Sequence, residues 1–160
     1  MGQQVSLASA EATYQRLCLA LPAVAPQHVL SLGDDVMRAC AISRQKSRYL
    51  KLLAEAILEG TLDLAALSNL SDSKVADQLM QITGIGQWTA DVYRLMCPAR
   101  PDIWPCGDVA LAKALQEVKR LSARPDLENQ LGIAEPWRPY RSAAARLLWH
   151  HSLCRRGRQA

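Results

Sequence analysis

Along most of this chain apolar residues recur every three or four positions, and almost nowhere do they alternate one by one. That period predicts helices rather than strands. Residues 5–20 place Val5, Ala8, Ala12, Leu17 and Leu19 near helical spacing. "SRQKSRYLKLLAEAILEG" offers Ser43 as an N-cap, a stripe of Tyr49, Leu50, Leu53, Ala56 and Ile57, and Gly60 as a stop. "LAALSNL" reads as one turn of helix. "SDSKVADQLMQI" opens at a Ser/Asp cap and turns Val75, Leu79 and Ile82 inward, and after two glycines "QWTADVYRLM" resumes a helix as far as Pro98. The eight prolines, at 22, 26, 98, 101, 105, 125, 136 and 139, fall between these segments, where helices should stop. The predicted class is all-α, with about seven to nine helices and no internal repeat.

Composition narrows the picture in three ways. A length of 160 residues, 49% of them apolar, suits a single domain with its own core. No apolar run approaches the roughly 18 residues of a membrane span, and "MGQQVSLASA" lacks the basic and apolar regions of a secretory signal. The expectation is a cytoplasmic protein. Five cysteines (Cys18, Cys40, Cys97, Cys106, Cys154) form no CxxC pair, and the histidines, His28, His150 and His151, form no HExxH. Neither a disulfide framework nor a side-chain metal motif is expected.

The net charge of +4 is unevenly spread. Residues 1–135 hold 13 Lys/Arg against 15 Asp/Glu, whereas residues 136–160 hold six arginines and no acid. Those arginines (Arg138, Arg141, Arg146, Arg155, Arg156, Arg158) are interleaved with Trp137, Tyr140 and Trp149. A solvated basic tail would look similar, but the mixture of cations and aromatics suggests a nucleic-acid face.

Two stretches suggest chemistry. In "ITGIGQWTADV", Gly84 and Gly86 permit backbone angles that other residues avoid. A tight turn there would aim free N–H groups of the following helix at an anion, although an ordinary helical corner accounts for a lone GxG equally well. In "DIWPCGDVALAKALQEV", Pro105 and Gly107 deliver Asp108 to the start of an apolar-periodic helix, where an aspartate is also the usual N-cap.

In this order the segments resemble the helix–hairpin–helix DNA glycosylase superfamily (HhH-GPD), in its DNA-3-methyladenine glycosylase II branch. "LMQITGIGQWTADVYRLM" resembles the family hairpin, here about residues 71–96. "PDIWPCGDVALAKAL" resembles the catalytic-aspartate segment, about 101–120, and "EPWRPYRSAAARLLWHH" the closing helix, about 137–153. "GQQVS" resembles the segment that enters the minor groove beside the lesion. The resemblance implies two helical halves with the active-site cleft between them. It also implies that the family's N-terminal helices are missing here, because Met1 stands directly before "GQQVS". A cut chain, a late start codon and a naturally short product remain open.

The implied activity is hydrolysis of the N-glycosidic bond of a flipped-out alkylated purine, 3-methyladenine with 7-methylguanine as a further substrate, in double-stranded DNA. Asp108 takes the catalytic position by this correspondence. Trp149, Trp88 and Gln3 take the base pocket, whose aromatic faces attract a cationic base. The DNA-binding positions are Gln4 at the lesion, and Gly84, Ile85, Gly86, Gln87 and Thr89 at a phosphate. The carbonyls of Met80, Ile82 and Ile85 take the family's monovalent-cation position; otherwise no cofactor is required. Trp104 and Trp137 read as structural.

Bifunctional relatives carry a nucleophilic lysine where this chain has Trp88, so the resemblance implies a monofunctional enzyme without lyase activity. The clustered cysteines of an iron–sulfur cluster are also missing. A monomer associated with the nucleoid is expected. The alternative is a non-catalytic helix–hairpin–helix DNA-binding remnant of such a glycosylase.

Overall fold

The computed structural model describes residues 7–157, and among them every regular element is a helix. Nine α-helices follow in order: α1 (Leu7–Ala20), α2 (Pro26–Ser31), α3 (Asp34–Ala39), α4 (Arg44–Leu58), α5 (Asp72–Met80), α6 (Gln87–Met96), α7 (Val109–Lys119), α8 (Leu127–Ala134) and α9 (Arg141–Gly157). Two 3₁₀ turns, Ala66–Asn69 and Glu135–Trp137, supplement them. The chain divides into two compact units. One comprises the residues up to Asn69 with the loop Gln81–Gly84, and the other comprises Leu70–Met80 with everything from Ile85 onward.

The first unit encloses Leu17, Leu21, Val29, Met37, Cys40, Ile42 and Ala54. Its α4 starts as expected: the Ser43 side chain accepts the Lys46 N–H, satisfying one of the orphan donors of a helix start. The helix stops where Gly60 takes φ +75°. Along α4 the deepest positions are Ser47, Ala54 and Ala56, while Tyr49, Leu50, Leu53 and Ile57 are half-buried.

On α1 the expected stripe is corrected. Leu17 is buried, but Ala8 and Ala12 are exposed and Leu19 is 88% exposed. Two positions on a helix lie about 200° apart, so Leu17 and Leu19 cannot share a face; Leu21, at i+4 from Leu17, is the buried partner. The six-residue helices α2 and α3 are too short for a periodic signal. Pro26 starts α2, and Gly33 caps α3 without a side-chain bond. Pro26 and Pro136 thus lie within helical turns rather than between them.

The second unit is built on Leu95, Ile103, Trp104, Leu111, Ala114, Leu115, Ala134, Ala145 and Leu148. Helix α5 packs on α6, and α7 packs on α9. Val75 and Leu79 are buried as predicted; Ile82 is half-buried in the loop. Trp104 is buried with its ring 5.8 Å from that of Trp137, which carries Lys119 Nζ 5.2 Å above its centroid. Both tryptophans pack in the core of this unit. The closing helix starts at Arg141 rather than 137. Pro139 supplies no N–H and disfavours the α conformation before it, so the preceding residues form a separate 3₁₀ turn.

Candidate active site

The hairpin begins where α5 ends at Met80 and finishes where α6 starts at Gln87. Its two glycines do different jobs, which corrects the symmetrical expectation. Gly84 sits at φ +97°, and a Cβ built there would lie 2.3 Å from Cγ of Tyr49. Only glycine meets both demands. Gly86 has φ −98° and ψ 180°, an extended conformation open to any residue, and nothing lies within 4 Å of a Cβ placed on it. It caps α6 with no side-chain hydrogen bond of its own. Gln87 is exposed; Ile85 and Thr89 are half-buried.

Asp108 is the N-cap of α7, and it is also more than a cap. One carboxylate oxygen accepts the Leu111 N–H at 2.7 Å. The other accepts the indole N–H of Trp88 at 2.8 Å. The carboxylate is 9% exposed, and among the described residues no cation pairs with it. A carboxylate offers about four acceptor positions, so each oxygen retains capacity for a further partner. The structure therefore brings Asp108 and Trp88 together, 20 residues apart in sequence. Trp149, on α9, is half-buried and packs against the core of the same unit. Gln3 and Gln4 lie outside the described residues. Among the described residues no group of three His, Cys, Asp or Glu is placed to hold a metal ion.

Sequence reasoning missed Asp91. It is 1% exposed within α6 and accepts from three sides. The Gln87 amide and the Arg94 guanidinium share one oxygen, and the Cys106 N–H donates to the other at 3.1 Å. Arg94 also donates to the Asp72 carbonyl at 3.0 Å, tying α6 back to the start of α5. Asp91 thereby fixes the loop two residues before Asp108. Burial pushes the Cys106 thiol up from its ordinary pKa, and the Asp91 charge adds to the effect. A cleft of about 350 Å³ adjoins Asp91, Arg94 and Cys106, but neither Asp108, Trp88 nor Trp149 lines it. The helical pattern of "WTADVYRLM" hid Asp91, since a single acid in an amphipathic helix usually faces water.

Several arginines of the basic closing segment have partners that sequence reasoning did not foresee. Arg141 is 9% exposed and binds Asp102 with two nitrogens, at 2.6 and 3.0 Å. Arg138 binds Asp102 at 2.9 Å and Glu135 at 2.9 Å. Arg146 donates to the Leu95 carbonyl at 2.7 Å near the end of α6, and Arg155 lies 3.8 Å from Glu117. The Arg141 hydrogen bonds hold the Asp102 carboxyl below its ordinary pKa. Acids outside the segment thus pair with Arg138, Arg141 and Arg155. Arg156 and Arg158 offer no described side chain.

The profile of the HhH-GPD superfamily base excision DNA repair protein matches residues 1–139. The chain belongs to the HhH-GPD superfamily. DNA-3-methyladenine glycosylase 1 of Schizosaccharomyces pombe is 31% identical over 128 residues, which are 79% of this chain and 56% of that protein. The crystallised S. pombe 3-methyladenine DNA glycosylase Mag1, in complex with abasic DNA, superposes with a TM-score of 0.88 at 29% identity. That match covers 92% of this chain and 73% of the other. The 8-oxoguanine glycosylase/lyase of Clostridium acetobutylicum shares the fold, with a TM-score of 0.76 at 14% identity, over 98% of this chain and 57% of the other. This HhH-GPD chain spans about half the length of the curated relatives it matches. Among the described residues no helix is long and apolar enough to cross a membrane.

Proposed function

We propose that this chain is a monofunctional DNA glycosylase that hydrolyses the N-glycosidic bond of alkylated purines, chiefly 3-methyladenine, in double-stranded DNA. The observation that carries the reading is the Asp108 carboxylate. It is held by two neutral N–H donors, nearly buried, and without a cation partner among the described residues. A purine methylated on a ring nitrogen already carries positive charge. When its bond to C1′ breaks, the electron pair leaves with the base, which becomes neutral, and the sugar becomes an oxocarbenium-like cation. An unneutralised carboxylate beside that cation stabilises the transition state more than the ground state. Water then adds to C1′ and loses a proton, giving the abasic site.

Trp88 supports the same reading twice. Its N–H orients Asp108, and an indole in place of a lysine leaves no amine to attack the sugar. Because the same fold also serves a glycosylase/lyase, the monofunctional assignment rests on this residue. The start of α6, which Gly86 caps without a side chain, directs the positive end of the helix dipole at a backbone phosphate, a contact that positions the duplex without reading sequence.

The test is release of methylated bases from alkylated duplex DNA by the native chain and by Asp108→Asn. The variant should keep its fold and DNA affinity, since Asn also caps helices, while turnover falls on the order of 10²- to 10³-fold. Full turnover in the variant would defeat the assignment. Cooperative melting and DNA binding with no release by the native chain would favour the non-catalytic DNA-binding module. A borohydride-trapped protein–DNA adduct would refute the monofunctional mechanism.

A further inference from the structure

The hairpin is gripped at Gly84 and open at Gly86. Nothing lies within 4 Å of a Cβ placed on Gly86, so that face of the loop meets no neighbour. At Gly84 the contact belongs to one side chain. The three heavy atoms nearest a Cβ built there are all from Tyr49: Cγ at 2.3 Å, Cδ2 at 2.4 Å and Cβ at 2.8 Å. Those distances put the near edge of the Tyr49 ring in van der Waals contact with the Gly84 backbone. Tyr49 on α4 and the loop Gln81–Gly84 belong to the same compact unit, so the contact is internal to one body.

The part of Tyr49 that touches Gly84 is the part least able to move. Its Cβ is fixed by the α4 backbone, and its Cγ is fixed by χ1, for which a helix allows few rotamers. The far end of the ring is held too. The Gln45 amide, one turn earlier on α4, donates to the Tyr49 hydroxyl at 2.7 Å. Gly84 answers with the φ of +97° that lets its backbone approach the ring without a Cβ in the way. The phosphate contact proposed above begins at this residue and runs on through Ile85 and Gly86 to the start of α6. A rigid ring from α4 thus fixes one end of a loop whose other glycine nothing packs against.

We infer that Tyr49 is a positioning residue for DNA binding: its Cβ and the near edge of its ring hold Gly84 in place, and through Gly84 they set the hairpin that grips a backbone phosphate. The inference rests on the hairpin–phosphate contact of the proposed function and adds the side chain that places it. Tyr49 acts through the loop, and its contribution is read in affinity for the duplex.

The experiment measures binding of the full chain to a duplex carrying a tetrahydrofuran abasic analogue, in which the phosphates around the analogue are replaced one at a time by neutral methylphosphonates. In the native chain at least one replacement should weaken binding about tenfold. Tyr49→Ala, at a half-buried helical position where alanine favours the helix, should weaken binding to the all-phosphate duplex by a similar factor. The same methylphosphonate should then change the variant's affinity by less than about twofold, because a contact already lost cannot be lost again. Packing without positioning would not produce that coupling. Tyr49→Leu keeps more apolar volume and should show the same coupling, so it carries the test should the alanine variant melt near the assay temperature. Tyr49→Phe keeps Cβ, Cγ and Cδ2 and loses only the hydroxyl, so it should bind within about twofold of the native chain. Equal methylphosphonate penalties in the native chain and the alanine and leucine variants would overturn the inference and leave the hairpin contact standing. A phenylalanine variant as weak as the alanine one would also overturn it, since the hydroxyl and not the contact with Gly84 would be responsible. If no methylphosphonate weakened the native chain, the hairpin–phosphate contact would fall and this inference with it, while base release would still decide the glycosylase reading separately.

Discussion

Two aspartates of the second unit, 17 residues apart in sequence, are both nearly out of solvent and are held in opposite ways. Asp91 is surrounded by a guanidinium, an amide and a backbone N–H, so its charge is neutralised inside the fold. Among the described residues Asp108 has the Leu111 N–H and the Trp88 indole as its donors, both neutral. The Cys106 amide joins the two regions, since it donates to Asp91 two residues before Asp108. Neutralising one carboxylate makes a rigid joint. Among the described residues the other has no counter-ion, and its charge is left uncompensated. Two residues of the same type are thus set in opposite electrostatic surroundings by their partners alone.

Breaking the Asp91 side should give the largest loss of stability. Asp91→Ala strands Arg94 in a nearly buried position and frees the Cys106 loop, and the expected destabilisation is about 3–5 kcal/mol by chemical denaturation. A loss below about 1 kcal/mol would mean that the ion pair is not the joint described here. Gly84→Ala comes next. The positive φ and the overlap with Tyr49 predict a loss of about 2–3 kcal/mol, whereas Gly86→Ala should melt within about 0.5 kcal/mol of the native chain. Equal effects at the two glycines would erase the distinction between them.

Asp102 tests whether a paired carboxylate elsewhere in the unit behaves like Asp91. Arg141 lowers its folded pKa below the ordinary 3.8, so its contribution is fully present above that value and is lost as pH falls through the lower, folded value. Asp102→Asn should therefore cost about 2 kcal/mol near neutrality, with the gap to the native chain narrowing only below about pH 4 in thermal melts. A gap that stayed constant down to pH 3 would contradict the pairing. The smallest effect is on the Asp108 side. Trp88→Phe removes the indole N–H and keeps a ring, so turnover should fall about tenfold, close to 1.4 kcal/mol, while stability changes little. A variant with unchanged turnover would show that the indole packs beside Asp108 without orienting it.

Much of this molecule was legible from local pattern. The long helices, the Ser43 cap, the Gly60 stop, the hairpin and the placement of Asp108 at the head of α7 follow from three- and four-residue periodicity and cap chemistry, which act over one turn of helix. The short helices α2 and α3 were not legible, because six residues hold less than two turns and their stability comes from packing Val29 and Met37 into the first unit's core. Leu19 was misplaced because two residues that look alike in a list lie on opposite sides of α1.

By itself, the sequence determined an all-helical chain of the HhH-GPD family with Asp108 at a helix start and glycine at 84. Tertiary structure alone decided that Asp108 is gripped by Trp88, that Asp91 is the joint beneath it, and that Arg138 and Arg141 share Asp102 while Arg146 reaches the Leu95 carbonyl. The physical reason is separation along the chain. A cap or a turn has its partner within four residues, but Asp102 and Arg141 stand 39 residues apart, and a charge has no sign of a partner until folding brings one to it.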